Sequence, residues 1–334
     1  MSRPRILHLL PHGRALGGAE RDVLDLVACD ELAGFEQRVG FVQPGAPSAF
    51  PPAVVLPLRA AVGWRPAVLQ GWLLQGNLLA AALGLALPAA RVVTAERNVG
   101  HALDRPKRAL ERLAAAREDV VTVNSLAVRA AAIERIPARA TRMLLIPPGV
   151  PALPKPLRPV PCDAVIVGRL HPVKDHETAL RAWARVRGAR PGATLSVVGD
   201  GPERERLEAL AGTLGIAPGV TFHGDTDPAP HVHGATLLLL TSRAEGFSRA
   251  LVEGLHAGLP VVATRVGGVD ELPPDAVRSV PVGDAEAVAR ETLALLADPA
   301  ARERAASAAA AAATRHPAGS ARTAHRDLYT ELLG

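Results

Sequence analysis

The chain has 334 residues, of which 48% are hydrophobic and 21% charged, and this composition fits a globular protein large enough for two domains. Aromatic residues make up only 3% of the chain, which argues against a sheet that stacks nucleic-acid bases. The two cysteines, Cys29 and Cys162, form no CxxC pair, so neither a disulfide framework nor a zinc site is supported and a reducing cytoplasm is expected. The apolar run at the N-terminus is too short for a signal peptide.

Short β-branched segments alternate with helical ones from the beginning of the chain. In the first half, strands are predicted at "RILHLLP", "QRVGFVQ", "AVVLPL", "RVVTAE", "DVVTVNS" and "MLLIPPG". Residues 66–90 carry no charge and are long enough to cross a membrane. Proline, glycine, glutamine and asparagine interrupt this segment, however, so we interpret it as a buried helix that leads into "RVVTAE".

The second half repeats the same alternation after a proline-rich segment. We interpret residues 151–161 as a linker between domains 1–150 and 162–316, with a last helix at 317–334. Strands are predicted at "DAVIVGRL", "TLSVVGDG", "VTFHG", "TLLLLTS", "PVVATRV" and "VRSVPV". This pattern predicts an α/β protein with two doubly wound, parallel-sheet domains that face a cleft. Ligands in such domains collect beyond the carboxyl ends of the strands.

Positive charge is concentrated in the first half of the chain. Residues 1–160 contain 20 Lys and Arg against 12 Asp and Glu, whereas the rest contains 18 against 21. The strongest local source is "DRPKRALERLAAAR", a predicted helix with cations at Arg105, Lys107, Arg108, Arg112 and Arg117. A solvated helix face explains it most simply, while an acidic membrane surface or an anionic acceptor is the alternative.

Two segments could bind a phosphate group. Gly17 and Gly18 stand between a strand and a helix, where the helix amino end favours an anion, although a plain turn explains them equally well. Arg169 and Lys174 follow a fully apolar strand and precede a helix. Salt-bridged surface cations have the same composition, but their position at a strand end favours neutralisation of a diphosphate.

A third segment, "EGFSRALVEGLHAGLPVVATRVGG", places Glu245 before a short helix and Glu253 on it. If the helix begins near Ser248, the two backbones are on the order of 10 Å apart, which suits two hydroxyl-binding carboxylates better than an acid/base pair. The amides of Gly267 to Val269 could bind phosphate or sugar oxygens if they are free. Two solvated glutamates and an ordinary turn are the alternatives.

Several of these segments together resemble the GT4 family of retaining glycosyltransferases, which have the GT-B fold. The resemblance is carried by "GGAE", "VGRLHPVKDHETAL", "VVGDGPERERLEALAGTLGI", "VTFHGD" and "EGFSRALVEGLHAGLPVVATRVGGVDEL". It extends over nearly the whole chain and is strongest from Val165 to Leu272. The two glutamates separated by seven residues, followed by "AGLPVVAT", are its most specific feature. The family also predicts that the last helix packs back on the first domain.

The resemblance implies transfer of a sugar, with retained anomeric configuration, from a UDP- or GDP-linked donor to a glycan, a glycolipid or a small molecule. Front-face attack is implied, with the departing phosphate accepting the proton, and neither a metal nor another cofactor is expected. It assigns catalytic roles to Arg169, Lys174 and Glu245. The donor-binding set consists of Gly17, Gly18, Arg169, Lys174, Glu245, Gly246, Phe247, Ser248, Glu253, Gly267, Gly268 and Val269.

Two positions depart from the family pattern. Many relatives have a histidine after the strand equivalent to "RVVTAE", but here Glu96, Arg97 and Asn98 follow, with His101 further on. We predict that these four residues line the acceptor side, and no catalytic histidine is carried over. Pro148 stands where an asparagine is common, and neither change removes the donor site.

Two other functions are compatible with the same fold. One is a nucleotide-sugar epimerase, which would need carboxylates and a histidine around the anomeric carbon that the chain does not clearly supply. The other is a non-catalytic, membrane-associated partner that keeps a donor pocket, against which the four charged donor residues argue. Scattered basic residues argue against nucleic-acid binding. We expect a cytoplasmic protein with peripheral contact to an acidic membrane.

Overall fold

The computed structural model describes residues 3–11, 17–43, 50–99 and 105–334. The chain forms two compact units, one of residues 1–149 and 319–334 and the other of residues 150–318. In unit 1 the strands are β1 (Arg5–Leu10), β2 (Glu36–Phe41), β3 (Val68–Trp72), β4 (Arg91–Glu96), β5 (Val120–Val123) and β6 (Met143–Leu145). Its helices are α1 (Gly18–Val27), α2 (Ala61–Trp64), α3 (Leu73–Ala86), α4 (Arg105–Ala115), α5 (Leu126–Arg135) and, from the end of the chain, α12 (Ser320–Leu333).

The sheet of unit 1 is entirely parallel, with the order β2-β1-β3-β4-β5-β6. Neighbouring residues of β1 point to opposite faces and are buried on both. Ile6 and Leu10 pack in one cluster with residues of α1 and α12, while Leu7 and Leu9 pack in another with residues of α3. Helices therefore cover both faces of the sheet, as in a doubly wound fold. The last helix is part of this unit, and its Tyr329 is fully buried there.

Two of the predicted elements in unit 1 are wrong. The segment "AVVLPL" forms no strand, because three prolines at 51, 52 and 57 restrict it to short 3₁₀ turns at Pro52–Val54 and Leu58–Ala60. The strand in its place is β3, which lies in the segment that we predicted to be wholly helical. All five residues of β3 are buried, the polar Gln70 among them, so the segment has no alternation of apolar and polar residues that would distinguish a strand from a buried helix. Within the ranges given above, no helix combines the length and apolar character needed to cross a membrane.

Unit 2, which the structure describes throughout, contains the other six predicted strands and six helices. The strands are β7 (Cys162–Val167), β8 (Leu195–Val198), β9 (Val220–Gly224), β10 (Ala235–Leu240), β11 (Val261–Thr264) and β12 (Val277–Val280). The helices are α6 (His176–Ala189), α7 (Arg204–Thr213), α8 (Ala229–Gly234), α9 (Arg249–His256), α10 (Ala285–Ala297) and α11 (Pro299–Ala313).

The parallel sheet of unit 2 has the order β12-β11-β10-β7-β8-β9. Counted within the unit, this is the 3-2-1-4-5-6 order of dinucleotide-binding folds, whose strand order reverses between β7 and β10. Ile166 of β7 packs with residues of α6, α7 and α10, and its neighbour Val165 packs with residues of α9 and α11. The carboxyl ends of β7 and β10 are therefore the place where a Rossmann-like unit binds its ligand.

Candidate functional site

The chain segments that follow β7 and β10 are tied to each other. The amide of Arg243 donates to the carbonyl of Val173 over 2.8 Å, and the hydroxyl of Thr241 donates to the carbonyl of Asp175 over 2.9 Å. The Arg243 guanidinium also forms an ion pair with the Asp175 carboxylate at 3.1 Å. Three separate contacts therefore hold the segment after β7 against the segment after β10.

Asp175 takes an unusual backbone conformation at the centre of these contacts. Its φ is +47°, a left-handed conformation that costs a non-glycine residue roughly 1–2 kcal/mol. The side chain explains why an aspartate stands there, since it accepts hydrogen bonds from the Thr178 amide at 3.4 Å and the Thr178 hydroxyl at 2.8 Å. This capping of α6 together with the Arg243 ion pair stabilises the turn that carries Lys174.

Lys174 and Glu245 meet directly. The Lys174 ammonium donates a hydrogen bond to Oε1 of Glu245, and the Ser242 hydroxyl donates to the same oxygen over 2.8 Å. The two side chains are 25% and 17% exposed, so the pair is accessible without being fully solvated. The structure thus brings together two residues that are 71 positions apart in sequence and that we predicted to share one ligand.

Arg169 lies on the same segment as Lys174 and is exposed. It forms no ion pair with any residue in the part of the chain that the structure describes. Burial, followed by the positive charge of Arg169, lowers the pKa of the nearby His171 imidazole. The segment after β7 therefore carries two cations, of which Lys174 is matched by a carboxylate.

A pocket lies beyond the carboxyl ends of β10 and β11. Its wall combines a few apolar side chains with hydroxyl groups and the Glu245 carboxylate, and consists of Leu240, Ser242, Glu245, Ser248, Thr264, Val266, Gly268 and Val269. The Thr264 hydroxyl donates to the Ser242 carbonyl over 2.6 Å, which fixes one strand end against the other. The Glu245 carboxylate and the hydroxyl groups of Ser242, Ser248 and Thr264 therefore line one small cavity.

The two glycines after β11 approach the Glu245 segment too closely for any other residue. A Cβ atom on Gly267 would lie 2.2 Å from the Gly246 carbonyl oxygen, and one on Gly268 would lie 2.1 Å from the Phe247 ring. The Gly268 amide donates to the Gly246 carbonyl over 2.8 Å and the Val269 amide to Val266 over 3.2 Å. The expectation of free amides is therefore wrong for Gly268 and Val269, because close packing of two segments already uses them.

The second glutamate lies on α9, which begins at Arg249 with Ser248 as its N-cap. Glu253 is 5% exposed, and other groups of the chain interact with it. Both carboxylates therefore have partners, but Glu253 is buried whereas Glu245 is partly exposed. The predicted start of the helix near Ser248 is confirmed.

The predicted site residues of unit 1 that the structure describes lie in two places, at the amino end of α1 and at the end of β4. Gly17 is the N-cap of α1 and Gly18 its first residue, so both lie at the helix amino end. Glu96, at the end of β4, points into the unit, where its carboxylate bonds to Arg135 at 2.9 Å and to Arg139 at 3.1 Å. That carboxylate takes part in a buried ionic network, whose other acids are Glu111 and Glu118.

Arg97 is held in a different environment from Glu96. Its guanidinium forms an ion pair with Asp22 at 3.4 Å and lies 4.8 Å from the centre of the Trp72 ring, which stacks on His325 of α12. The side chain is only 9% exposed. Asn98 follows it directly, and His101 lies outside the described residues.

Sequence reasoning missed four residues that build the site of unit 2: Asp175, Ser242, Arg243 and Thr264. Ser242 and Arg243 stand immediately after an apolar strand in "TSRAEG", so a polar strand end was the available signal. Among the described residues, no cluster of three or more His, Cys, Asp or Glu side chains could hold a metal ion.

The strand orders and the position of this site define the class of protein, and known proteins resemble the chain in fold and in sequence. The chain superimposes on Anabaena HepE in complex with UDP-glucose with a TM-score of 0.83 and 20% identity, over 98% of this chain and 99% of that one. The fold is GT-B, with two Rossmann-like units. Residues 161–298, which lie within unit 2, match the model of glycosyl transferases group 1.

Two relatives that are similar in sequence to parts of this chain are named glycosyltransferases. A D-inositol 3-phosphate glycosyltransferase of Acidothermus cellulolyticus is 39% identical over 121 residues, which is 32% of this chain and 27% of that protein. The lipopolysaccharide core biosynthesis glycosyltransferase LpsE of Rhizobium meliloti is 34% identical over 150 residues, 43% of each chain. The chain thus matches less than half of the length of either relative.

Proposed function

We propose that the protein is a retaining glycosyltransferase that moves a sugar from a nucleoside-diphosphate donor to a glycan, glycolipid or small-molecule acceptor. The observation that carries this proposal is the contact between Lys174 and Glu245 beyond the carboxyl ends of β7 and β10. A cation for phosphate and a carboxylate for hydroxyl groups stand side by side there. A sugar joined to a diphosphate presents those two chemistries at adjacent positions.

In this proposal the donor diphosphate is bound by Arg169 and Lys174. Arg169 offers a planar fork of donors and Lys174 a compact charge, so the two can stabilise the negative charge that develops on the leaving phosphate. Glu245 accepts hydrogen bonds from hydroxyls of the transferred sugar, and Glu253 from the ribose. The segment Gly246 to Ser248 and the amino end of α9 complete the phosphate side.

Retention is proposed to follow from attack on the face that the leaving group departs from. The bond between the anomeric carbon and the phosphate oxygen breaks, and the acceptor oxygen bonds to the same face of that carbon. The acceptor proton passes to the departing phosphate oxygen, so no protein base is required. Two side-chain cations provide the charge stabilisation for which other transferases use a divalent ion, and we propose a metal-independent reaction.

The donor and acceptor classes are inferred from relatives. HepE is known in complex with UDP-glucose, which supports a uridine nucleotide as the first donor to test. LpsE acts in lipopolysaccharide core biosynthesis, which supports a glycan or lipid-linked acceptor. On the acceptor side of unit 1 we propose Arg97 and Asn98, whereas the buried ion pairs of Glu96 favour a supporting role. Gly17 and Gly18 are proposed to approach the diphosphate from α1.

An acidic membrane is the proposed surface on which the acceptor is met, and α4 is its proposed contact. Leu110 and Leu113 are 52% and 73% exposed on this helix, next to the exposed Arg108 and Arg112. The one acidic residue of α4, Glu111, is turned inward into ion pairs with Arg135 and Arg139. The described outer face of α4 is consequently cationic and apolar, a combination suited to anionic lipid headgroups.

The transfer reaction is tested by incubating the protein with UDP-glucose and GDP-mannose, without and with lipid-linked or free glycan acceptors, in the presence of EDTA. We expect slow hydrolysis of one donor without acceptor and an α-configured product, read by NMR from the anomeric coupling. Binding of UDP in calorimetry without any turnover would contradict the proposed activity and favour the non-catalytic partner. Loss of turnover in EDTA that added Mg²⁺ restores would contradict metal independence alone.

The membrane contact is tested by sedimentation with vesicles of phosphatidylglycerol and phosphatidylcholine. We expect binding that weakens as NaCl rises and that is lost in Leu110→Ser/Leu113→Ser and in Arg108→Glu/Arg112→Glu. Leu157→Ser is the matched control, because Leu157 is a fully exposed leucine of unit 2. Equal binding to pure phosphatidylcholine, or unchanged binding by both double variants, would contradict this role of α4.

A further inference from the structure

Phe247 stands between Gly246 and Ser248 of the site. Its ring packs against His316 and against the backbone of Gly268. Its centroid is 4.8 Å from that of the His316 ring, with the ring planes 52° apart. The Gly268 backbone approaches the same ring so closely that a Cβ atom there would lie 2.1 Å from it. Phe247 and His316 are both 7% exposed. Packing against these neighbours therefore fixes the position of the Phe247 ring.

His316 makes a second contact, at the far end of the helix that follows Phe247. The ring nitrogen Nε2 of His256 lies 3.1 Å from the carbonyl oxygen of His316. A carbonyl can only accept, so the hydrogen is on Nε2 of His256. His256 is the last residue of α9, and Phe247 stands two residues before its first. The residue at 316 thus contacts chain on both sides of α9.

His316 follows helix α11, and the packing of α11 places it next to Phe247. The buried face of α11 consists of alanines, of which Ala309 and Ala312 are 0% and 1% exposed and share a core cluster with Leu251 and Leu255 of α9. Alanine side chains let two helices approach closely and lose no rotamer freedom on packing. The polyalanine run is therefore a close-packing surface for α9, and three residues after its end comes His316.

A displacement of Phe247 would also displace residues of the candidate site, because its two neighbours in the chain belong to that site. Gly246, directly before it, accepts the hydrogen bond of the Gly268 amide at 2.8 Å, and Glu245 precedes Gly246. Ser248, directly after it, lines the pocket together with Glu245 and Gly268. If the Phe247 ring is held in place, the chain on both sides of it, Glu245–Gly246 and Ser248, is held in place as well.

We propose that His316 is a positioning residue of the donor site, which acts through the Phe247 ring on Glu245 and on the segment around Gly268. The inference rests on the proposed glycosyltransferase function. His316 touches no reacting atom in this account. Removing its ring leaves space into which Phe247 can turn, and the pocket wall loses its alignment while Arg169 and Lys174 keep theirs.

A buried histidine that only fills the core would also lower stability when truncated, so stability alone does not distinguish the two roles. The two roles are distinguished by whether the variant changes the donor KM or kcat. A displaced pocket wall weakens donor binding, and a misplacement near 1 Å can cost up to about 100-fold in rate. For a wall residue that moves less than this, we expect an effect on the order of 10-fold, mainly in donor KM.

The experiment compares His316→Ala, His316→Phe and His231→Ala in UDP-glucose binding by calorimetry and in donor turnover. His231 is the matched control, since it is an equally buried histidine of unit 2 whose ring contacts His223 and not the site. We expect His316→Ala to weaken UDP-glucose binding about 10-fold with kcat within about 3-fold, and His316→Phe to restore binding to within about 2-fold. His231→Ala should lower the melting temperature without changing either constant.

Two results would overturn the inference. One is donor KM unchanged in His316→Ala while its melting temperature falls as in His231→Ala. The other is a folded His316→Phe as impaired as His316→Ala, which would show that ring packing is not what matters. If His316→Ala does not fold, His316→Leu takes its place, and wild-type binding in that variant would count equally against the inference. A wild-type protein that binds no UDP- or GDP-linked sugar would instead defeat the proposed function itself.

Discussion

Lys174 donates a hydrogen bond to the carboxylate of Glu245, and this contact joins the carboxyl end of β7 to that of β10. Two strands that are neighbours in the sheet but separated in sequence by two strand–helix repeats thus bring opposite charges to one point. Each charge is partly shielded from water, so each stabilises the other more than an exposed pair would. A diphosphate sugar can replace both partners, because its phosphate matches the lysine and its hydroxyls match the carboxylate.

We predict that Lys174→Ala and Glu245→Ala each lower transfer by about 100- to 1,000-fold, the usual effect of removing a preorganised charge from a transition state. Folding should change little, because neither residue is fully buried. Initial rates and thermal unfolding of both variants check this. The control is Arg181→Ala, which removes an exposed ion pair with Glu177 on α6 and should keep the wild-type rate. Rates near wild type in either site variant would remove the basis of the assignment.

Arg243 is predicted to act at a distance, by holding Asp175 and with it the turn that carries Lys174. Without its guanidinium, a strained aspartate at φ +47° loses one of the interactions that stabilise it. We expect Arg243→Ala to reduce kcat/KM for the donor about 10-fold, less than the loss of Lys174 itself. Arg243→Lys should restore part of it. A kcat/KM equal to that of wild type would show that the backbone contacts at Val173 suffice.

Much of the candidate site could be predicted because its residues follow apolar strands, and in parallel sheets such ends converge. Arg169, Lys174 and Glu245 were found in this way. Ser242 and Asp175 were not, because their roles depend on a hydrogen bond to a side chain 3 residues away and on a left-handed turn. Neither leaves a periodic signal in the sequence.

The same limit explains the errors in unit 1. Strand β3 was missed because it is buried on both faces, and a segment buried on both faces has no alternation of apolar and polar residues. Glu96 was expected at an acceptor surface because it stands where many relatives have a histidine, but two arginines that lie 39 and 43 residues further on turn its carboxylate inward. Long-range ion pairs of this kind are decided by tertiary packing, which local pattern cannot encode.

That ionic network yields a prediction about stability. Arg139 is 2% exposed and bonds to Glu96, Glu111 and Glu118, whose carboxylates are nearly buried as well. Arg139→Met would leave Glu96 and Glu111 with Arg135 and would remove the ion pair of Glu118, and we expect the unfolding free energy to fall by about 3–5 kcal/mol. Urea unfolding followed by circular dichroism measures it. In Arg206→Met, which removes exposed ion pairs to Glu177 and Glu203, the loss should stay below about 1 kcal/mol. Equal losses would mean that the buried network adds nothing.

Acid should destabilise unit 1 through two buried histidines. Burial lowers the pKa of His8 to about 4 and that of His325 to about 3, against 6.5 in the unfolded chain. Both imidazoles are neutral when folded, so the unfolded state takes up protons first as the pH falls below 6.5. Stability is complete above that pH and decreases down to about pH 4, by on the order of 3 kcal/mol for each histidine.

Urea unfolding between pH 4 and pH 7 tests this pH dependence. His325→Phe keeps an aromatic ring next to Trp72, which stacks on His325 at 5.8 Å, and removes the titrating group. The decrease in stability toward pH 4 should then be less steep than in the wild type. A variant with the same slope as wild type would assign the acid sensitivity to other groups.

Gly267 provides a test of whether close packing of the two site segments matters for the ligand. Its φ is +56°, and a Cβ atom there would lie 2.2 Å from the Gly246 carbonyl oxygen. Gly267→Ala therefore forces the segment after β11 away from the Glu245 segment, in addition to a left-handed strain of roughly 1–2 kcal/mol. Gly258→Ala separates the two effects, because Gly258 has a φ of +70° with nothing within 4 Å of the added atom. We expect Gly258→Ala to lose stability through the strain alone and Gly267→Ala to lose more, and we expect only Gly267→Ala to lose UDP-glucose affinity, by at least about 10-fold. Calorimetry on the two folded variants decides the matter, and equal affinities would mean that the pocket tolerates separation of its walls.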